Sequence, residues 1–237
     1  MQYLFRYKII FFFLLCNICS ALAQSNSTSI NYFGRKKKTH YFGLTLAYNN
    51  SGFKIEHSKR FINHGTYKIN NGISNPGLTL GMVTNFKIGE YFDYRILPSI
   101  ALVYRKLAYI PSSGGATQTQ VIESVFGELP MMIRFASDPY RDKKFFVTSG
   151  VKYSYDFASN SRSDKDRFQI VRISPHDFQF EIGAGIQFYL PFFIFSPEIK
   201  FSHGLGNLLI YDGKVPESTI IEKLYSKAFT ISFHFEG

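Results

Sequence analysis

The sequence predicts an all-β protein, an eight-stranded antiparallel up-and-down transmembrane β-barrel with short periplasmic turns and long extracellular loops. Three observations lead there. Eight segments alternate apolar and polar side chains with period two. The connections between them alternate long and short along the whole chain. Residues 1–23 have the three-part form of a secretory signal.

The signal comes first. Arg6 and Lys8 form a basic start, Ile9–Leu15 an apolar core, and Ala21-Leu22-Ala23 offers small residues for cleavage after Ala23. The apolar run is too short for a membrane-spanning helix, which needs about 20 apolar residues. Leu15 before Cys16 and Ile18 before Cys19 do not suit a lipoprotein anchor. Both cysteines lie in the signal, so the chain from Gln24 onward has no thiol or disulfide chemistry. The expected layout is a signal peptide over 1–23, a basic periplasmic tail over 24–39, and a barrel in the cell outer membrane over 40–237.

The strands follow in order. Tyr41–Asn49 sets Phe42, Leu44, Leu46 and Tyr48 against Gly43, Thr45 and Ala47. Gly77–Ile88 sets Leu78, Leu80, Met82 and Phe86 against Thr79, Gly81, Asn85 and Lys87. Tyr91–Arg105, Gln120–Ala136 and Lys144–Phe157 repeat the pattern with Ile100, Ile133 and Val147 on the apolar side. Asp177–Leu190 opposes Phe178, Phe180 and Ile182 to Gln179, Glu181 and Gly183. Phe192–His203 and Lys227–Glu236 close the set, the last opposing Phe229, Ile231, Phe233 and Phe235 to Thr230, Ser232, His234 and Glu236.

Short turns fall at Gly89-Glu90, Ser137–Lys143 and Pro191, and long loops at 50–76, 106–119, 158–176 and 204–226. Lipid tolerates neither open sheet edges nor irregular backbone, so strands can cross it only as a closed barrel. A soluble barrel has no reason for loops long at one end and short at the other. In the last loop, Pro216–Tyr225 reads as a short helix, with Ile220, Ile221, Leu224 and Tyr225 on one face.

The phenylalanine-rich face is expected to meet lipid and the other to line the lumen. Lumen-facing acids are Asp93, Glu128, Asp156, Glu181, Glu198 and Glu236; the bases are Lys87, Arg95, Arg105, Arg134, Lys152 and Lys200. Eight strands leave room only for side chains, and buried ions are costly unless paired. Six acids against six bases therefore read as a packed structural network and not a pore.

Composition excludes other classes. Aromatics are 18% of the 237 residues and charges 19%, which is too aromatic for a disordered chain. The net charge of +10 does not signal nucleic acid in an exported barrel. No P-loop, HExxH or GxSxG pattern occurs. His176 beside Asp177 and His203 beside Ser202 are the local hints of catalysis, but neighbours on a strand point to opposite faces. The expectation is no enzyme activity, no catalytic or metal residues, no cofactor and no small-molecule substrate. The Arg35-Lys36-Lys37-Lys38 run reads as an anchor at anionic headgroups or as a dock for an acidic periplasmic partner.

Glu128–Phe135 (ELPMMIRF), Gly150–Asp156 (GVKYSYD), the block Asp177–Leu209 and Ile231–Glu236 (ISFHFE) together resemble the PorT/SprT family, as does Gly77–Pro98 more loosely. The resemblance implies a Bacteroidetes-type outer-membrane barrel needed for type IX secretion, which exports cargo bearing a C-terminal sorting domain, such as proteases and gliding adhesins. It implies outer-membrane lipid and other secretion-system subunits as partners, and no catalytic residues. The alternative reading is a stand-alone structural barrel or a minor porin.

Overall fold

The computed structural model describes residues 31–32, 39–57, 67–69, 73–111, 118–158, 172–210 and 221–237. The strands are β1 (His40–His57), β2 (Tyr67–Ile69), β3 (Ile73–Lys87), β4 (Phe92–Ile96), β5 (Ser99–Pro111), β6 (Gln118–Ala136), β7 (Lys143–Asp156), β8 (Arg172–Ile173), β9 (His176–Tyr189), β10 (Ile194–Gly204), β11 (Leu209–Ile210) and β12 (Ile221–Glu236). Antiparallel pairing runs β1-β12-β10-β9-β7-β6, continues through the collinear β4 and β5 to β3, and returns from β3 to β1. The ring is closed and has eight staves. Among the described residues no helix is long and apolar enough to cross a membrane; the strands do the crossing.

All eight predicted strands exist. The third is split, because Pro98 has no backbone N–H to give the ladder. Neighbouring strands bridge the gap: Met82 N–H donates to the Pro98 carbonyl at 2.9 Å and Leu97 N–H to the Pro130 carbonyl at 3.0 Å. Side-chain alternation continues through the break, with Asp93, Arg95, Leu97, Ala101, Val103 and Arg105 all buried. The short turns also fall as predicted. In the Tyr140–Lys143 turn, Arg141 and Asp142 both take positive φ, 47° and 57°, the geometry of a tight hairpin with the twist of its flanking strands.

Three expectations are corrected at the other end. The predicted loop from Asn50 begins as strand, since β1 continues to His57 against β12. β3 likewise begins at Ile73 and β5 runs to Pro111. The helix expected over Pro216–Tyr225 does not form where it can be seen: Ile221–Tyr225 belong to β12, paired with β1 through Lys54↔Tyr225 and Glu56↔Lys223. Residues 216–220 lie outside the described residues, as do the signal segment 1–23 and the Arg35–Lys38 run.

The wall has the predicted sidedness. Leu44, Leu80, Ile100, Ile133, Phe145, Phe178, Ile199 and Phe235 are exposed on the outside. Ten residue steps from Lys227 to Gly237, at about 3.3 Å each and tilted roughly 40°, rise about 25 Å, the height of a bilayer's apolar band. The inside is layered. At the loop end Phe53, Ile55, Ile122, Leu208, Ile221 and Leu224 form an apolar cluster, with Ile173 and Leu209 packed on it. The segment after β10 folds over the mouth to supply part of it: Leu208 N–H donates to the Leu224 carbonyl at 2.8 Å, and the Asn207 side-chain oxygen accepts from Leu224 N–H at 2.9 Å. At the turn end Tyr32, Tyr41, Tyr189 and Ile194 cluster. Between them lies a charged waist.

Candidate functional site

The waist is built from inward positions of all eight staves. Arg95, on β4 and fully buried, is its hub. One of its Nη atoms meets Glu236 of β12, the other lies 3.6 Å from Glu198 of β10, and its Nε–H donates to the Asn85 side-chain oxygen of β3 at 3.0 Å. Arg134 on β6 faces the same centre, paired with Asp93, hydrogen-bonded to the Tyr41 hydroxyl, and 3.9 Å from Glu236. The Phe146 ring lies under both guanidinium groups, 5.8 Å and 5.4 Å from their carbons. Arginine suits this position because its planar fork engages several carboxylates and an aromatic face at once.

His234 completes this lower cluster. Its Nε2 lies 2.8 Å from Glu198 Oε2 and its Nδ1 2.8 Å from Thr45 Oγ1. A carboxylate only accepts, so Nε2 carries the proton. The other Glu198 oxygen accepts from Thr148. Nearer the loop end, Lys152 sits 3.2 Å from Glu128 and 3.0 Å from Glu181; Lys200 is 4.0 Å from Glu181, which also accepts from Ser202 at 2.7 Å. Gly183 makes this crowding possible, since a Cβ there would stand 2.8 Å from the Lys200 stem and 2.9 Å from Glu198.

Nine of the twelve residues named from the sequence thus meet across the lumen: Asp93, Arg95, Glu128, Arg134, Lys152, Glu181, Glu198, Lys200 and Glu236. The other three have these described neighbours. Arg105 lies between the Phe53 and Phe126 rings, 4.9 Å from each. Lys87 reaches over Tyr41 at the turn end, and Asp156 accepts from Ala158 N–H at 3.0 Å. His234, Thr45 and Thr148 were not assigned to the network from sequence. Their inward parity was visible, but counting charges gave no weight to neutral groups that link them.

The catalytic hints separate as strand geometry demands. His176 is exposed and bonded to the Tyr153 hydroxyl at 2.8 Å, whereas Asp177 is buried and accepts from Gln179 at 2.7 Å. Thr45, His234 and Glu198 do form a hydroxyl–imidazole–carboxylate row. The cavity beside Thr45 measures about 30 Å³ and is lined by polar groups that include Asn49, Thr79 and Thr230. A second cavity of about 180 Å³ opens at the turn end, lined by Tyr32, Tyr41, Lys87, Asp93, Lys144 and Tyr189. Tyr32 closes over it: its N–H donates to the Asp142 carboxylate at 3.0 Å, and Lys144 lies 4.7 Å from its ring centre. Tyr32, within the expected tail, is therefore docked at this point.

A closed ring of strands, apolar outside and ion-paired inside, with tight turns at one end, defines a membrane-spanning β-barrel. Residues 22–209 match the family model described as outer membrane protein beta-barrel domain. The chain belongs to that family, and it is an outer-membrane protein. Among curated protein sequences nothing matches. Solved structures similar to it include the outer membrane protein OprG from Pseudomonas aeruginosa, at 11% identity and TM-score 0.45, covering 84% of this chain and 95% of that one. Neisserial surface protein A is similar at 9% identity and TM-score 0.43, with 84% and 97% covered. The Yersinia pestis attachment invasion locus protein Ail, solved with the heparin analogue sucrose octasulfate, is similar at 8% identity and TM-score 0.38, with 84% and 100% covered.

Proposed function

We propose that the chain acts as a closed, non-enzymatic outer-membrane barrel, a structural element of the envelope and not a diffusion channel. The observation that carries this reading is the buried pairing of Arg95 and Arg134 with Asp93, Glu198 and Glu236. Ions lining a hydrated pore keep their water; ions with almost no exposed surface need partners, and these have them. The apolar cluster at the loop end and Tyr32 at the turn end add a stopper on each side. Purified protein in planar bilayers is expected to give no sustained conductance. A stable, wide, weakly selective channel would reject the reading in favour of a minor porin.

A second reading rests on the residues that resemble the PorT/SprT family: this barrel would be a component of type IX secretion whose loops and basic tail bind other subunits. Deleting the gene and measuring surface export of cargo with a C-terminal sorting domain tests it. Unchanged export leaves the stand-alone barrel. If the Arg35–Lys38 run docks an acidic periplasmic subunit, changing all four residues to Gln lowers co-purification and export while barrel yield holds. If it is a headgroup anchor, export stays normal.

A further inference from the structure

We propose that the outer wall at the closing seam, where β12 lies between β1 and β10, holds a phosphorylated lipid headgroup of the outer leaflet through Lys54 and Lys227. The inference rests on the outer-membrane assignment and on four observations.

The first is height. Outward residues of the seam are apolar up to Phe229 and Phe201, whose rings lie 5.1 Å apart. Lys227 and His203, paired in register, occupy the next outward row, and Tyr225 with Lys54 the row after. This is the level at which hydrocarbon gives way to headgroups. The second is convergence. Lys54 is opposite Tyr225, two residues from Lys227, so the lysines are diagonal neighbours with Cβ atoms about 7–8 Å apart. Opposite Lys227 on β1 stands Gly52, which puts no side chain between them. Two ammonium groups on flexible stems can reach one phosphate across that gap.

The third is the platform. The His203 imidazole and the Tyr225 ring stack at 6.1 Å, giving the lysines an amphipathic bed of the kind found where membrane meets water. The fourth is charge. Neither Lys54 nor Lys227 forms an ion pair with a described residue. The nearest outward acid in register, Glu56, is opposite Lys223 one row further out; Glu222 lies at the irregularity beyond it. On the β5–β6 wall, by contrast, Tyr104 is opposite the acid Glu123. A phosphate held to that wall at that height and facing lipid belongs to a lipid.

The test is native mass spectrometry of the purified full-length barrel in detergent, titrated with bis-phosphorylated lipid A. Wild type is expected to retain bound lipid A, and K54Q/K227Q to lose at least tenfold in apparent affinity, with K54R/K227R recovering most of it. K106Q, on the β5 wall, is the control for net charge and is expected to bind normally. Heat-modifiability on SDS gels confirms that each variant is folded. Equal retention by K54Q/K227Q, or an equal loss in K106Q, would overturn the site. Undiminished binding of dephosphorylated lipid A would overturn phosphate recognition. A conducting wild-type barrel would reject the closed-barrel reading and leave this site standing.

Discussion

The waist and the loop end of the lumen share the same eight walls yet exclude water by opposite means. At the waist two guanidiniums face three carboxylates, and Lys152 and Lys200 face Glu128 and Glu181. At the loop end Phe53, Ile55, Ile122, Leu208, Ile221 and Leu224 are in van der Waals contact with nothing to pair. The difference lies in what a substitution leaves behind. An ion must be matched by identity and position, because its orphaned partner stays charged. An apolar group must be matched by volume, because its loss leaves only a void.

The waist should therefore break hardest. Arg95→Met leaves Glu236 with only the more distant Arg134 and weakens the hold on Glu198, and is expected to cost about 3–5 kcal/mol in reversible urea unfolding from lipid vesicles. Adding Glu236→Gln should restore a good part of that loss; if the double variant is worse than the single, the two residues are not partners. At the loop end, Leu224→Ala is expected to cost about 2–4 kcal/mol, and Leu208→Ala on top of it less than its own single cost, because they share one cluster. Full additivity would show that the segment after β10 does not pack in solution as described. On the outside, Ile199→Arg should cost about 2–4 kcal/mol if it lies near the midplane. The smallest effect belongs to Lys223→Gln, beyond the band, within about 0.5 kcal/mol. Equal costs for Ile199→Arg and Lys223→Gln would place the lipid boundary elsewhere.

That boundary also explains what could and could not be read in the sequence. Within the bilayer the outside meets lipid, so β1 carries its apolar residues at Phe42, Leu44, Leu46 and Tyr48. Above it the outside meets water and the inside meets the apolar cluster, so the same strand carries Phe53 and Ile55 inward and Lys54 outward. The alternation never stops; it changes phase. A period-two reading takes that slip for the end of a strand, which is why 50–57 looked like loop. On β12 the slip set Ile221 and Leu224 at helical spacing and suggested a helix. The charged network was legible because inward parity and near-equal counts of acids and bases appear directly in the residues. Which acid meets which base was not, since Arg95 and Glu236 are 141 residues apart and meet only when the ring closes.

That closure has a consequence for how the protein is made. The first and last strands are joined by antiparallel register from Gly43↔Glu236 to His57↔Ile221. β1 is synthesised early, but one of its two edges has no partner until β12 has left the ribosome. A half-made wall cannot rest in hydrocarbon with open edges, so insertion must wait for the whole chain to cross the inner membrane and stay unfolded on the way. β12 acts as a latch on completeness: a chain stopped before Ile221 holds every other stave yet has nothing to seal β1. Such a product should be found degraded in the periplasm, while a full-length chain with a cluster variant such as Leu224→Ala still reaches the outer membrane.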